Sequence, residues 1–442
     1  MDKFIINGGR KLKGEVSVSG AKNVALKTMV AACLTDEEVV IENVPLISEF
    51  YVMADIVRQL GGVVRIKDHT ISIKMEKFKG EKISLEAAAE IRSSAIFVAP
   101  LLTRLNSATI PNPGGCRIGA RPIDRTIDGL KKMGVDATYN SKDGFFHIKA
   151  SKGLKGAKYR FEKNTHTGTE TLMMAAVLAK GKTILENAAL EPEVDELIGL
   201  LKLMGANIKR EGKRKIVING VDKLHGAKFS IKPDRNEIVT FAIAALMTEG
   251  DVFVKDVTKA GLLEFIEKFE EAGGGVKEEN SGLRFFHKGN LRPTNVSTSY
   301  YPGFMTDWQG PWAVLMTKAQ GLSTIHETVY ENRFNYVEQL LKMGAKIEFF
   351  NPKVKNPKNI YNFNLSDNKP EYFHAIKIQG PVSLHNAIVE ISDLRAGATL
   401  VLAALSARGQ SVIFGVEQLD RGYEEFEKRL RSLGADIKRA KE

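Results

Sequence analysis

One short pattern recurs six times along this chain: a helix ending in Leu, Met or Ala, then a glycine, then a small or apolar residue leading toward Val or Ile. The copies are Leu60-Gly61-Gly62-Val63, Met133-Gly134-Val135, Met204-Gly205-Ala206, Ala272-Gly273-Gly274, Met343-Gly344-Ala345 and Leu433-Gly434-Ala435. Successive glycines lie 73, 71, 68, 71 and 90 residues apart. Self-similarity at such a period marks one supersecondary unit repeated, so all copies must share a local fold. Glycine after each helix supplies the left-handed cap that stops it, and the chain then turns into a strand. The last interval is longer because residues 351–368 form a polar insertion rich in Pro and Asn.

A second signature opens each copy, as in Leu12-Lys13-Gly14-Glu15-Val16, Phe78-Lys79-Gly80-Glu81-Lys82-Ile83, Leu154-Lys155-Gly156 and Leu224-His225-Gly226. It begins a short alternating strand. An almost wholly apolar helix follows, over residues 21–34, 91–103, 169–179, 237–247, 309–319 and 394–407. A β-branched strand, a turn and an amphipathic helix such as 193–204 or 423–433 come next. The expected unit is strand, buried helix, strand, amphipathic helix, strand. Helices apolar on every face must be surrounded by protein. The expected fold class is therefore α/β: two inside-out domains, each of three βαβαβ-type repeats with apolar helices inside and sheets outside. Residues 21–230 are expected to form one domain and residues 1–20 plus 231–442 the other, with the active site in the cleft between them.

Composition narrows the function. With 43% hydrophobic and 26% charged residues the chain reads as globular. It contains no apolar run of the roughly 18 residues that a membrane span needs, and residues 1–9 carry no signal-peptide core. Two cysteines cannot build a disulfide framework, and Cys33 lies in an apolar helical stretch, so a cytoplasmic location is expected. The eight histidines are scattered without metal-ligand spacing, and no metal or cofactor is expected. The net charge of +11 admits anionic partners. Because the basic residues are spread rather than clustered, small anionic substrates are favoured over nucleic acid, and no membrane partner is expected.

The turns leading into the apolar helices are polar: Lys22-Asn23, Arg92, Lys163 with Thr165-His166-Thr167-Gly168, Asp234-Arg235, Thr306-Asp307 and Asp393-Leu394-Arg395. Helix N-termini flanked by Lys or Arg bind phosphate and carboxylate groups. Six equivalent ends could line one cleft. The second copy also carries an extension. Asn43 to Gly61 and Asn187 to Gly205 both span 18 residues, whereas Asn112 to Gly134 spans 22. The extra residues fall in Pro113-Gly114-Gly115-Cys116-Arg117, a thiol on a flexible basic turn, which reads as a functional loop. Trp308 and Trp312 read as packing around the fifth copy.

Ser19-Gly20-Ala21-Lys22-Asn23, Arg92, Pro113-Gly114-Gly115-Cys116, Ile118-Gly119-Ala120-Arg121-Pro122, Pro233-Asp234-Arg235, Thr306-Asp307, Glu331-Asn332-Arg333-Phe334, Asp393-Leu394-Arg395 and Asp420-Arg421-Gly422-Tyr423 occur in this order. In these motifs, which cover the whole chain, the protein resembles the enolpyruvyl transferases. The Cys loop resembles the branch that acts on UDP-N-acetylglucosamine at the first committed step of peptidoglycan synthesis. The resemblance implies attack of the sugar 3-hydroxyl on C2 of phosphoenolpyruvate, then loss of phosphate. It implies that Cys116 is the general acid toward C3, that Lys22, Arg121 and Arg395 hold the carboxylate and phosphate, and that Asn23 touches the reacting centre. Asp307 would orient or deprotonate the hydroxyl, and the Val329 carbonyl would contact the sugar. Arg92, Lys163 to His166 (with Asn164 and Thr165) and the segment Arg121, Pro122, Ile123, Asp124, Arg125 would face the nucleotide and diphosphate.

Three departures from the family pattern bear on the acceptor: Arg125-Thr126 in the base-facing segment, the turn Thr165-His166-Thr167-Gly168, and Arg117 beside the thiol. The shikimate-pathway enolpyruvyl transferase shares fold and donor but lacks the Cys loop. A relative of the RNA-terminal phosphate cyclases would need a catalytic His and a basic groove with stacking aromatics, and neither stands out. A catalytically weak paralogue with a binding or regulatory role is a third alternative.

Overall fold

The computed structural model describes residues 2–112 and 123–441, so Cys116, Arg117, Arg121 and Pro122 lie outside the described residues. The chain divides into two compact units, one built from residues 2–19 and 233–441, the other from residues 20–112 and 123–232. Among the described residues each unit holds three sheets and three buried helices. In the unit of residues 233–441 these helices are Arg235–Met247, Gln309–Met316 and Leu394–Ser406. In the other they are Lys22–Ala32, Val98–Leu105 and His166–Ala176. Every residue of Arg235–Met247 is buried. Such a helix cannot lie at a surface, and the sheets take the outer positions.

The repeat ends differently from the expected pattern. After the amphipathic helix Pro192–Leu203 come two strands, Asn207–Glu211 and Lys215–Asn219, joined as an antiparallel hairpin. Strand Lys215–Asn219 also pairs antiparallel with Lys182–Glu186, which runs parallel to Lys158–Arg160. The unit is thus βαβαββ. The signal was present in the β-branched run Ile216-Val217-Ile218 beyond the turn at Gly212. A second correction concerns residues 78–83, expected to open a strand. Only a single bridge forms there, Lys82 with Thr109, and the sheet of that copy has three strands. The helix Leu85–Glu90, capped by Ser84, occupies the chain that follows.

Two first strands are exchanged between units. Strand Lys13–Val16 precedes the buried helix Lys22–Ala32, yet pairs with Asp251–Lys255 of the fourth copy. Strand Ala227–Ser230 precedes Arg235–Met247, yet pairs with Glu38–Glu42 of the first copy. Among the described residues the chain therefore passes between units at residues 19–20 and 232–233. At the first passage the Ser19 amide donates to Glu237 Oε2 (2.9 Å), which also pairs with Arg429 Nη1 at 2.5 Å. Strand Asp2–Asn7 fills the sheet of the sixth copy, antiparallel to both Gln410–Phe414 and Asp436–Lys441.

All six glycines of the repeated pattern have positive φ, +99° at Gly205 and +96° at Gly434, the conformation a left-handed helix stop requires. Trp308 and Trp312 are buried against Phe265 and Phe304, edge to face. Their indole N–H groups donate to Asn236 Oδ1 (3.0 Å) and Thr294 Oγ1 (3.2 Å), so the two rings pack without a lost hydrogen bond. The insertion folds as short turns, Pro357–Ile360 and Leu365–Asp367, with the Asn362 amide donating to the Thr328 carbonyl at 2.8 Å.

Candidate active site

In the unit of residues 233–441, the N-terminal ends of the three buried helices meet. Asp234 caps Arg235–Met247, its Oδ1 accepting from the Asn236 amide at 2.7 Å. Asp393 caps Leu394–Ser406, accepting from the Arg395 (2.9 Å) and Ala396 (3.1 Å) amides. The third end is the tight turn Thr306–Trp308, which leads into Gln309–Met316. The Trp308–Asn236 bond ties this turn to the first helix. Asp307 ties it to the third: its Oδ2 lies 3.2 Å from Arg395 Nη2.

The other Asp307 oxygen, Oδ1, accepts from Arg333 Nη2 at 2.8 Å. One carboxylate is thus shared by two guanidinium groups, both more buried than it is. Arg395 also donates to the Tyr423 hydroxyl (3.3 Å), which in turn meets Thr240 Oγ1 at 2.8 Å. Burial alone would make the Arg395 charge easier to lose, but Asp307 and the neighbouring oxygens more than offset it, and its pKa is raised. The result is a partly exposed carboxylate with two guanidinium groups on it at converging helix ends, a place where a polar or anionic substrate group can meet Arg333 and Arg395. Val329 stands nearby in chain and hydrogen bonding: its amide donates to Glu327 Oε1 at 2.7 Å.

The remaining expected residues that the structure describes lie in the other unit. Lys22 begins the helix Lys22–Ala32 and pairs with Glu49 at 2.9 Å, with Asn23 beside it in the first turn. Arg92 begins the 3-10 segment Arg92–Phe97. Ile123 precedes the helix Asp124–Lys132, and the Arg125 carbonyl accepts from Tyr159 Oη at 2.9 Å. Lys163 and buried Asn164 lead to Thr165, whose Oγ1 caps the next helix by accepting from the Gly168 amide at 3.1 Å. His166 turns inward: its Nε2 lies 3.0 Å from Glu170 Oε1, and Glu170 Oε2 lies 3.3 Å from Lys27 Nζ. Glu170 is wholly buried and Lys27 nearly so. Burial works against the His166 charge, but Glu170 favours it, with Lys27 opposing and Glu191 assisting, and the pKa rises.

Four participants had no role assigned from sequence, although Arg333 and Tyr423 fall within the quoted motifs. Arg333 shares Asp307, Tyr423 backs Arg395, and Lys27 with Glu170 forms a buried ion pair. The last two had a signal, since each is a charge inside a largely apolar helix. Among the described residues no group of three or more His, Cys, Asp or Glu is arranged to hold a metal, and no helix is long and apolar enough to cross a membrane.

Both fold and sequence place the chain among known proteins. It belongs to the enolpyruvyl transferase family described as EPSP synthase (3-phosphoshikimate 1-carboxyvinyltransferase), whose pattern matches residues 6–430. Within that family it is similar to UDP-N-acetylglucosamine 1-carboxyvinyltransferases. That of Acidobacterium capsulatum is 43% identical, covering 99% of this chain and 96% of the relative. A second, numbered 3, from Caldanaerobacter subterraneus is 42% identical with both chains fully covered. Among solved structures, the enolpyruvyl transferase NikO from Streptomyces tendae shares the fold with a TM-score of 0.86 at 23% identity, covering 99% of both chains. EPSP synthase from Acinetobacter baumannii shares it with a TM-score of 0.73 at 17% identity, covering 100% of both.

Proposed function

We propose that this protein transfers the enolpyruvyl group of phosphoenolpyruvate to the 3-hydroxyl of UDP-N-acetylglucosamine, releasing phosphate, as the first committed step of peptidoglycan synthesis. The observation that carries this reading is identity of about 40% along the entire chain to relatives bearing that activity in their names. The convergence of Asp307, Arg333 and Arg395 at helix ends supports it. The Cys loop favours this acceptor over shikimate 3-phosphate.

In the proposed reaction the sugar oxygen bonds to C2 of phosphoenolpyruvate as its hydroxyl proton passes to Asp307, while the Cys116 thiol delivers a proton to C3. The resulting tetrahedral adduct then returns a C3 proton to the Cys116 thiolate and expels phosphate from C2, leaving the enol ether. Arg395 with Lys22 and Arg121 would neutralise the donor carboxylate and phosphate, and Asn23 would contact the reacting carbon. Asp307, held between two guanidiniums, would orient the sugar hydroxyl and take up its proton as the bond to C2 forms. The Val329 carbonyl would contact the sugar. Arg92, the 121–125 segment and the Lys163-to-His166 turn would serve the nucleotide. The reaction needs no cofactor, nucleic acid or membrane, and a cytoplasmic setting would keep the thiol reduced.

The test is phosphate release by purified protein under four conditions: phosphoenolpyruvate alone, with UDP-N-acetylglucosamine, with UDP-glucose, and with shikimate 3-phosphate. Release confined to UDP-N-acetylglucosamine is expected. Release with shikimate 3-phosphate, or with no acceptor, contradicts the reading.

A further inference from the structure

We infer that Glu327 is a positioning residue for the transfer reaction: its one buried carboxylate holds the turn of Asp307 and the backbone of Val329 in a common register. This rests on the reading that Asp307 and Val329 meet the acceptor sugar. Glu327 touches neither substrate in that scheme, and nothing in its sequence context, His326-Glu327-Thr328, marks it as functional.

The two carboxylate oxygens face different elements. Oε1 accepts from the amides of Val329 (2.7 Å) and Tyr330 (3.0 Å), fixing the backbone just beyond the strand Gly321–His326. Oε2 accepts from Thr306 Oγ1 (2.8 Å) and Gln309 Nε2 (3.3 Å), which flank Asp307 on either side in sequence. Gln309 Nε2 also reaches the Arg333 carbonyl at 3.4 Å, and Arg333 grips Asp307. One rigid planar group therefore has four donors, two from the Thr306–Gln309 turn and two from the Val329–Tyr330 backbone, and Gln309 connects it onward to the backbone of the residue that grips Asp307. The Val329 segment is held from outside as well. The insertion's Asn362 amide donates to the Thr328 carbonyl, and the Glu327 amide donates to the His374 carbonyl at 2.7 Å.

Glu327 is only 1% exposed, a costly place for a carboxylate unless its oxygens are satisfied. Burial raises its pKa, while Thr306, Arg333 and the two amides pull it back down. A group placed only to fill space in this core would be apolar. A carboxylate there has value because it bonds two separate backbone segments at defined angles, and displacement of reacting groups by about 1 Å can cost on the order of a hundredfold in rate.

The experiment compares wild type with Glu327→Gln and Glu327→Ala in the full chain, recording kcat, KM for each substrate, and amide hydrogen exchange at Val329 and Tyr330. Glutamine keeps the size and one acceptor oxygen, so its variant carries the test should the alanine variant fail to fold. The expected result for Glu327→Gln is a KM for UDP-N-acetylglucosamine raised about tenfold or more, kcat lowered, and KM for phosphoenolpyruvate changed less than about threefold. Exchange at Val329 and Tyr330 should accelerate in Glu327→Ala relative to the strand Gly321–His326. Kinetic constants within twofold of wild type, equal changes in both KM values, or a loss that only tracks the fraction folded overturns the inference. If wild type shows no transfer at all, the proposed function fails, and the exchange data alone decide whether Glu327 fixes this backbone.

Discussion

Glu170→Gln is the most informative perturbation of the fold near the site. Glu170 is fully buried, with Lys27 Nζ at 3.3 Å and His166 Nε2 at 3.0 Å, and Lys27 is 4% exposed. The substitution keeps the volume but strands the Lys27 ammonium in an apolar helix layer. Breaking one side of a buried ion pair costs about 3–5 kcal/mol. For a unit of about 200 residues, each kcal/mol shifts Tm by about 2–4 °C, so a fall of about 6–20 °C is expected. The double variant Lys27→Met/Glu170→Leu replaces the pair by apolar groups and should recover most of that loss, since such replacements are often near neutral. Thermal and urea unfolding followed by circular dichroism provide both numbers. His166 offers an independent readout by NMR. With the carboxylate gone, its raised pKa should fall, because burial and Lys27 both disfavour the imidazolium. In wild type the stability from that imidazolium is fully present below the unfolded histidine pKa of about 6.5 and is lost as pH rises through the raised folded value. A Glu170→Gln loss under about 1 kcal/mol, or a double variant that loses the sum of the singles, refutes the reasoning.

Other outcomes follow from single contacts. Cys33 is buried and its thiol is pushed up to about 12 by burial, with Arg104 opposing, so a Cys116→Ser protein should resist thiol reagents at pH 8 until unfolded. Labelling at the rate of a free thiol contradicts the burial. Glu237 is pushed up to about 7 by burial, against the pull of Arg429, so its contribution to stability is present below pH 4.5 and fades as pH rises through 7. Glu237→Gln should flatten the pH–stability curve over that window, and an unchanged slope would show that the carboxyl stays ionised throughout. Arg333→Ala removes one of two charges on Asp307 and should lower kcat about 10- to 100-fold, with the conservative Arg333→Lys recovering part of it. Wild-type rates in Arg333→Ala would detach Arg333 from the site.

The repeat was legible because its signals are local and repeated: a glycine that must be left-handed, an apolar helix that must be buried, and an opening Lys-Gly turn. Those features constrain each copy without reference to partners. The closing hairpin strand was not counted, because Lys215–Asn219 alternates only weakly and follows a turn that resembles a loop end. The exchange of strands Lys13–Val16 and Ala227–Ser230 was beyond the sequence, since strand pairing across about 200 residues leaves no periodic trace. At the site, Asp307 and Arg395 stood out as charges at helix starts, and they do meet. Arg333 and Glu327 did not, because their roles arise from a contact made by a loop returning to the Thr306–Trp308 turn. Lys27 and Glu170 show the converse: an isolated charge in an apolar helix has to find a partner on a neighbouring helix.

The central claim is that this chain moves an enolpyruvyl group onto UDP-N-acetylglucosamine. The most direct measurement is mass spectrometry of the nucleotide sugar after incubation with protein and phosphoenolpyruvate, with phosphate measured in the same tube. The account predicts a UDP sugar heavier by one enolpyruvyl group, one phosphate released per product, and loss of both in Cys116→Ser. An unmodified UDP sugar alongside phosphate release, or equal product from Cys116→Ser, would contradict it.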